Sequence, residues 1–122
     1  MPADNAVSPE TAMVASHSVS ALGAALTVME KAVQIHYERA LRSEGERSES
    51  WRARVTAQLG AALAALEATA PDAFYDDAIG HADIAAVCAL GFVQGTIGDV
   101  FPTDGYPRLA AFAARAEALP AF

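Results

Sequence analysis

The residue types that most often carry out catalysis or bind metals are scarce in this chain, which has one cysteine and three histidines among 122 residues. Cys88 lies in the most apolar stretch with no basic neighbour in sequence to favour a reactive thiolate, so we predict an inert cysteine buried in the core. His17, His36 and His81 are far apart, and none has the spacing of a metal-binding motif. The sequence therefore predicts neither a nucleophilic cysteine nor a metal site.

Three carboxylates close in sequence, Asp76, Asp77 and Asp83, are of the type that general acid–base catalysis uses. Asp76 and Asp77 lie in a polar connector, however, and Asp83 stands at a helix start. Such catalysis also needs a cleft that shifts a pKa, and the sequence indicates none. Arg115 is placed to neutralise a carboxylate or the carbonyl groups that end its own helix. We therefore predict that these charged residues have structural roles.

The element that most clearly defines its own start is a helix that follows Ile79. Gly80 takes the N-cap position, and Asp83 takes the third helical position, where its carboxylate can accept from backbone N–H groups of the first turn. Ile79 and Ile84 have the spacing of a hydrophobic staple across this start. Residues 85–93 are apolar on all sides, which is typical of a fully buried helix. We expect the rest of the chain to pack around it.

Two long helices are predicted before this one. Ser8, Pro9 and Glu10 favour a helix start, and apolar residues then recur at helical spacing up to Leu41. The polar run 42–50 reads as a solvated loop, in which Ser48 or Ser50 can cap the next helix. That second helix runs from Trp51 to Ala70 and ends because Pro71 cannot continue it. The two helices predict an antiparallel hairpin.

A last helix follows the central one. The central helix is expected to stop near 95–98, and the loop residues 102–105 precede a helix over 106–118. No stretch alternates β-branched and aromatic residues over the length of a strand. The sequence therefore predicts an all-α helical bundle, with residues 1–8 as a lead-in and residues 9–122 as one domain.

Charge and hydropathy exclude several function classes. The net charge is −7 and the pI is about 4.7, so electrostatics oppose binding to nucleic acid or to an anionic membrane. No apolar run approaches the roughly 20 residues that a membrane span needs. The N-terminus lacks the features of a signal peptide, and a single cysteine rules out an internal disulfide. We expect a cytoplasmic protein that binds neither membrane nor nucleic acid.

Three stretches of this chain together resemble the C-terminal, all-helical domain of the glutathione S-transferase family. Residues 79–85 are similar to that family's N-capping box and hydrophobic staple, and residues 106–122 are similar to its last core helix. Residues 50–67, behind residues 33–39, resemble its central hairpin in bacterial members. The order and spacing of these stretches carry the resemblance.

The sequence departs from the family pattern at three positions. Gly80 stands where serine or threonine is usual, Phe112 where tryptophan is common, and Leu119 where arginine often precedes the proline. Glycine at an N-cap costs only a few tenths of a kcal/mol relative to serine. The first departure therefore weakens the capping motif without removing it.

The resemblance implies a role in glutathione conjugation that this chain does not perform alone. Family members place a thioredoxin-like domain before this one, and that domain binds glutathione and holds the catalytic residue. The resemblance implies that this chain contributes the pocket for a hydrophobic electrophile, with no cofactor or catalytic residue of its own and with glutathione as co-substrate of a full-length protein. Partners would be a thioredoxin-like domain or a second copy of the chain. By analogy, the pocket residues are Thr27, Val28, Lys31, Ile35 and Tyr37, with His36 beside them.

Two other interpretations remain open. Similar helical domains serve as non-catalytic protein–protein interaction modules, and an exposed apolar face on the first helix would favour that function. An acidic helical bundle without a ligand is the third interpretation. For each residue named above, packing against neighbouring helices or a partner subunit is the simpler alternative to ligand binding.

Overall fold

The computed structural model describes residues 8–41, 48–71 and 79–119, which form four helices and no strand. The helices are α1 (Pro9–Leu41), α2 (Glu49–Thr69), α3 (His81–Ile97) and α4 (Pro107–Glu117). This confirms the predicted all-α fold. The proposed lead-in up to residue 7, most of the polar loop and the connector that holds Asp76 and Asp77 lie outside the described residues.

Helix α1 lies at the centre of the packing. It contacts α2 and α3, and α4 packs on α3 and α2. Its buried residues, Ala25, Val28, Ala32 and Ile35, follow the three- and four-residue steps that one face of a helix requires. Small alanines on this face allow the neighbouring helices to approach closely. The core is therefore organised around the first helix.

The prediction that α3 is buried on every side is wrong. Ala86, Val87 and Leu90 are buried, but a stripe made of Ile84, Cys88, Gly91 and Gly95 is exposed. The sequence did not reveal this stripe because alanine, cysteine and glycine are small and are found both inside and outside proteins. The prediction of a core position for Cys88 is wrong for the same reason.

A side chain of α2 caps the start of α4. Tyr106, at the N-cap of α4, makes no side-chain capping bond. Instead, the Glu67 carboxylate accepts hydrogen bonds from the backbone N–H groups of Arg108 and Leu109, both at 2.7 Å. The Arg108 guanidinium donates to the Ala70 carbonyl at 2.5 Å. These bonds fasten α4 to the end of α2.

Candidate functional site

The start of α3 has half of a capping box. Asp83 Oδ2 accepts a hydrogen bond from the Gly80 backbone N–H at 2.8 Å, whereas Gly80 has no side chain to return one. Gly80 has an extended backbone (φ −103°, ψ 175°) that any residue can adopt. Ile79 packs against the core, and Ile84 remains 39% exposed. The reciprocal contact of these two isoleucines stays a prediction.

We expect substitutions at this cap to change stability in opposite directions. Asp83→Ala removes the bond to Gly80 and should lower the free energy of unfolding by about 1 kcal/mol. Gly80→Ser should raise it by a few tenths of a kcal/mol, because serine supplies a capping oxygen. The serine fits, since a Cβ there would meet Asp83 Oδ2 at 3.5 Å, an ordinary contact. Urea denaturation measures both values. An Asp83→Ala variant as stable as the parent would contradict a capping role.

Four of the five residues predicted to line an electrophile pocket, Thr27, Val28, Lys31 and Ile35, share one face of α1 by helical spacing, and Tyr37 lies apart from them. Val28 is fully buried in the core of the described chain, so a ligand could meet it only beneath its neighbours. The Thr27 hydroxyl donates to the Gly23 carbonyl at 3.0 Å. Lys31 Nζ lies 3.3 Å from Glu30 Oε1 on the same helix. These interactions account for two of the predicted polar side chains without any ligand.

The remaining two predicted residues lie in different places. Ile35 is buried and borders a cleft between α1 and α2. Tyr37 is exposed, and its ring centroid is 5.8 Å from that of His36. Tyr37 therefore has free surface for a ligand or a partner, whereas Ile35 faces the opposite flank of α1.

Exposed apolar side chains lie along both α1 and α3, and the part on α3 was not predicted from the sequence. Val19 and Leu26 of α1 are 72% and 54% exposed, and Leu22, Met29 and Val33 on the same side of the helix are partly exposed. One groove lies between Val19 and residues 80–83, where α3 begins. Another groove lies between Ala40 and Thr96, where α1 and α3 end. We call this surface the α1/α3 face. It consists of Val19, Leu22, Leu26, Met29 and Val33 together with the exposed stripe of α3.

Two glycines of the α1/α3 face have no packing role within the described chain. A Cβ built on Gly91 or on Gly95 meets nothing within 4 Å. Glycine inside a helix costs roughly 1 kcal/mol relative to alanine, so these positions weaken α3. Small residues let another backbone approach closely. The close approach of a partner would explain both glycines.

Charged side chains form ion pairs at the end of the bundle where α1 and α3 finish and α2 begins. The Arg39 guanidinium donates to both carboxylate oxygens of Asp99, at 3.0 and 2.7 Å. These hydrogen bonds hold the pKa of the Asp99 carboxyl below its usual value. At the start of α2, the Arg52 Nη2 group donates to Glu49 at 2.8 and 2.9 Å. Sequence reasoning missed the first pair because its members are 60 residues apart.

Arg115 has a partner other than those predicted. Its guanidinium donates to the Pro71 carbonyl at 2.7 Å and lies 5.7 Å from the centre of the Phe112 ring. The acceptor belongs to the chain that leaves α2, not to the end of its own helix. Arg115 therefore adds to the contact between α4 and α2.

Metal binding and membrane insertion find no support in the described ranges. No group of three or more histidine, cysteine, aspartate or glutamate residues there is arranged to hold a metal ion. None of the helices in the same ranges has the length and hydropathy needed to span a bilayer.

Comparison with known protein families gives a match over the second half of the chain. The model of the glutathione S-transferase C-terminal domain matches residues 49–115, which is more than half of the chain. The match spans α2, α3 and most of α4. Comparison with curated proteins gives no match.

Proposed function

Because this chain belongs to the family of glutathione S-transferase C-terminal domains, we propose that it is the helical half of a glutathione-conjugating enzyme. The other half would be a thioredoxin-like domain that binds glutathione and activates its thiol. The thiolate would attack a hydrophobic electrophile held partly by this chain. The reducing cytoplasm is the compartment in which such an enzyme would act.

The family match carries this proposal, and the α1/α3 face supplies a surface on which the second domain would pack. An exposed apolar surface of this kind marks a site of interaction with another protein or domain. Exposed Val19, Leu26 and Ile84 supply apolar area, and Gly91 and Gly95 leave space for a close approach. A thioredoxin-like domain that covered this face would bury it and would explain why α3 retains its glycines.

The chain's contribution to the reaction would be binding, not proton transfer. Thr27, Lys31 and Tyr37 are the predicted pocket residues that keep some exposed surface. Tyr37 would offer an aromatic wall to the electrophile. A second copy of the chain is proposed to pack on the outer side of α1, where Met13 and Leu41 are exposed.

A non-catalytic interaction module is the second candidate. The same α1/α3 face favours it, because an apolar docking surface serves a module as well as it serves a two-domain enzyme. The two functions differ in whether a joined protein turns over glutathione.

The test joins this chain to the N-terminal domain of a glutathione S-transferase and measures conjugation of a chromogenic electrophile. We expect the chain alone to give no more product than glutathione in buffer, and the joined protein to accelerate the reaction above the N-terminal domain alone. A folded, associated but inactive joined protein would favour the interaction module. Activity of the isolated chain would contradict the claim that the chemistry lies in the other domain.

A further inference from the structure

A cleft between α1, α2 and the segment after α3 lies apart from the α1/α3 face. Its volume is about 240 Å³. The described residues that line it are Ile35, Arg39, Arg52, Thr56, Val100 and Phe101. We propose that this cleft binds a small carboxylate that carries a compact apolar body. The proposal does not depend on the glutathione-related function.

The polar lining of this cleft consists of hydrogen-bond donors suited to a carboxylate. Arg52 contributes a guanidinium group, which matches the two oxygens of a carboxylate in geometry. The guanidinium of Arg39, whose Nη groups are bonded to Asp99, forms a neighbouring part of the wall. Thr56 adds a hydroxyl group, and no acidic side chain is among the described lining residues. The lining therefore offers N–H and O–H donors to an anionic oxygen, while Asp99 and Glu49 balance the charge of the two arginines.

Both guanidinium groups are held in place by carboxylates outside the cleft. The Arg39 side chain is 29% exposed and its partner Asp99 is 64% exposed, and the corresponding values for Arg52 and Glu49 are 35% and 76%. Both bonds from Arg52 to Glu49 come from Nη2, and a guanidinium carries five N–H donors in all. The existing pairs therefore fix the orientation of the arginines while Arg52 retains donors for a ligand.

The other walls of the cleft are apolar. Ile35 is buried at its base, and Val100 and Phe101 approach from the segment that follows α3. An inorganic anion would leave these apolar side chains in contact with water, whereas an aromatic or branched carboxylate would cover them. Apolar contact with a few oriented polar groups is the usual composition of a small-molecule site.

Benzoate is a suitable probe, with benzyl alcohol as a neutral molecule of similar shape. We expect benzoate to shift the backbone amide NMR signals of Thr56, Val100 and Phe101 with a dissociation constant on the order of 1 mM. Arg52→Gln should weaken binding about tenfold, because it removes the charged donor and leaves a shorter, neutral polar side chain. Thermal unfolding of the variant checks that it folds.

Arg54→Gln is the matched control, because Arg54 is exposed on the same helix and does not line the cleft. It should leave the affinity for benzoate unchanged. Equal affinity for benzoate and benzyl alcohol in the unmodified protein would overturn the proposal, even if Arg52→Gln failed to fold. Equal losses in the Arg52→Gln and Arg54→Gln variants would also overturn it, since they would indicate only a general effect of net charge.

Discussion

Replacing Gly91 with leucine is expected to weaken association with a thioredoxin-like domain by about 10- to 100-fold, because an added side chain would overpack the α1/α3 face. The isolated chain should fold as well as before. A Cβ at Gly91 meets nothing within 4 Å in the described chain, and leucine has a higher helix propensity than glycine. The free energy of unfolding should therefore stay constant or rise by up to about 1 kcal/mol. Isothermal titration and urea denaturation measure the two quantities.

Ala61→Leu is the control for this substitution. Ala61 is exposed on α2, away from the α1/α3 face, so a leucine there adds the same side chain at a different surface. It should leave the affinity unchanged. An unchanged affinity in the Gly91→Leu variant, or an equal loss in both variants, would show that the partner does not pack on α3.

Glu67→Ala is expected to lower the free energy of unfolding by about 2 kcal/mol, because it removes both acceptors at the start of α4. The backbone N–H groups of Arg108 and Leu109 would then lose their 2.7 Å partners, and Leu109 lies in the core. The melting temperature should fall by roughly 5–10 °C. Differential scanning calorimetry measures this change.

Two further variants separate the capping role of Glu67 from a general charge effect. Glu67→Gln keeps one acceptor oxygen and should lose less stability than Glu67→Ala. Glu117→Ala removes an exposed carboxylate at the opposite end of α4 and should change stability by less than about 0.5 kcal/mol. Equal stability of the Glu67→Ala variant and the parent would contradict the cap.

Local signals in the sequence predicted the helices well. Ser48 caps α2 through a 3.3 Å bond from the Trp51 backbone N–H, and Asp83 marks the start of α3. Helical spacing gave the core residues of α2, but of the apolar positions that it indicated on α1 only Ala25 is in the core, while Tyr37 and Leu41 are exposed. The family resemblance agrees with the matched residues. These features depend on neighbours within about one helical turn, so the sequence alone contains them.

Contacts between distant segments were not predictable in the same way. Glu67 reads as an ordinary charged residue on α2 until α4 is placed beside it, and the pair of Arg39 and Asp99 depends on how α1 meets the end of α3. The exposure of Cys88 depends on which neighbours cover α3. The proposed pocket came from analogy and stays a prediction, and helix orientation, which analogy does not supply, places Val28 in the core.

Labelling of Cys88 by a maleimide tests the central claim most directly, because it is the chain's one cysteine and lies on the α1/α3 face. The rate is measured by mass spectrometry for the chain alone and for the chain joined to a cysteine-free thioredoxin-like domain. If the α1/α3 face is a docking surface, Cys88 should be labelled rapidly in the isolated chain and should be strongly protected in the joined protein. Equal labelling rates in a joined protein with both domains folded would contradict it.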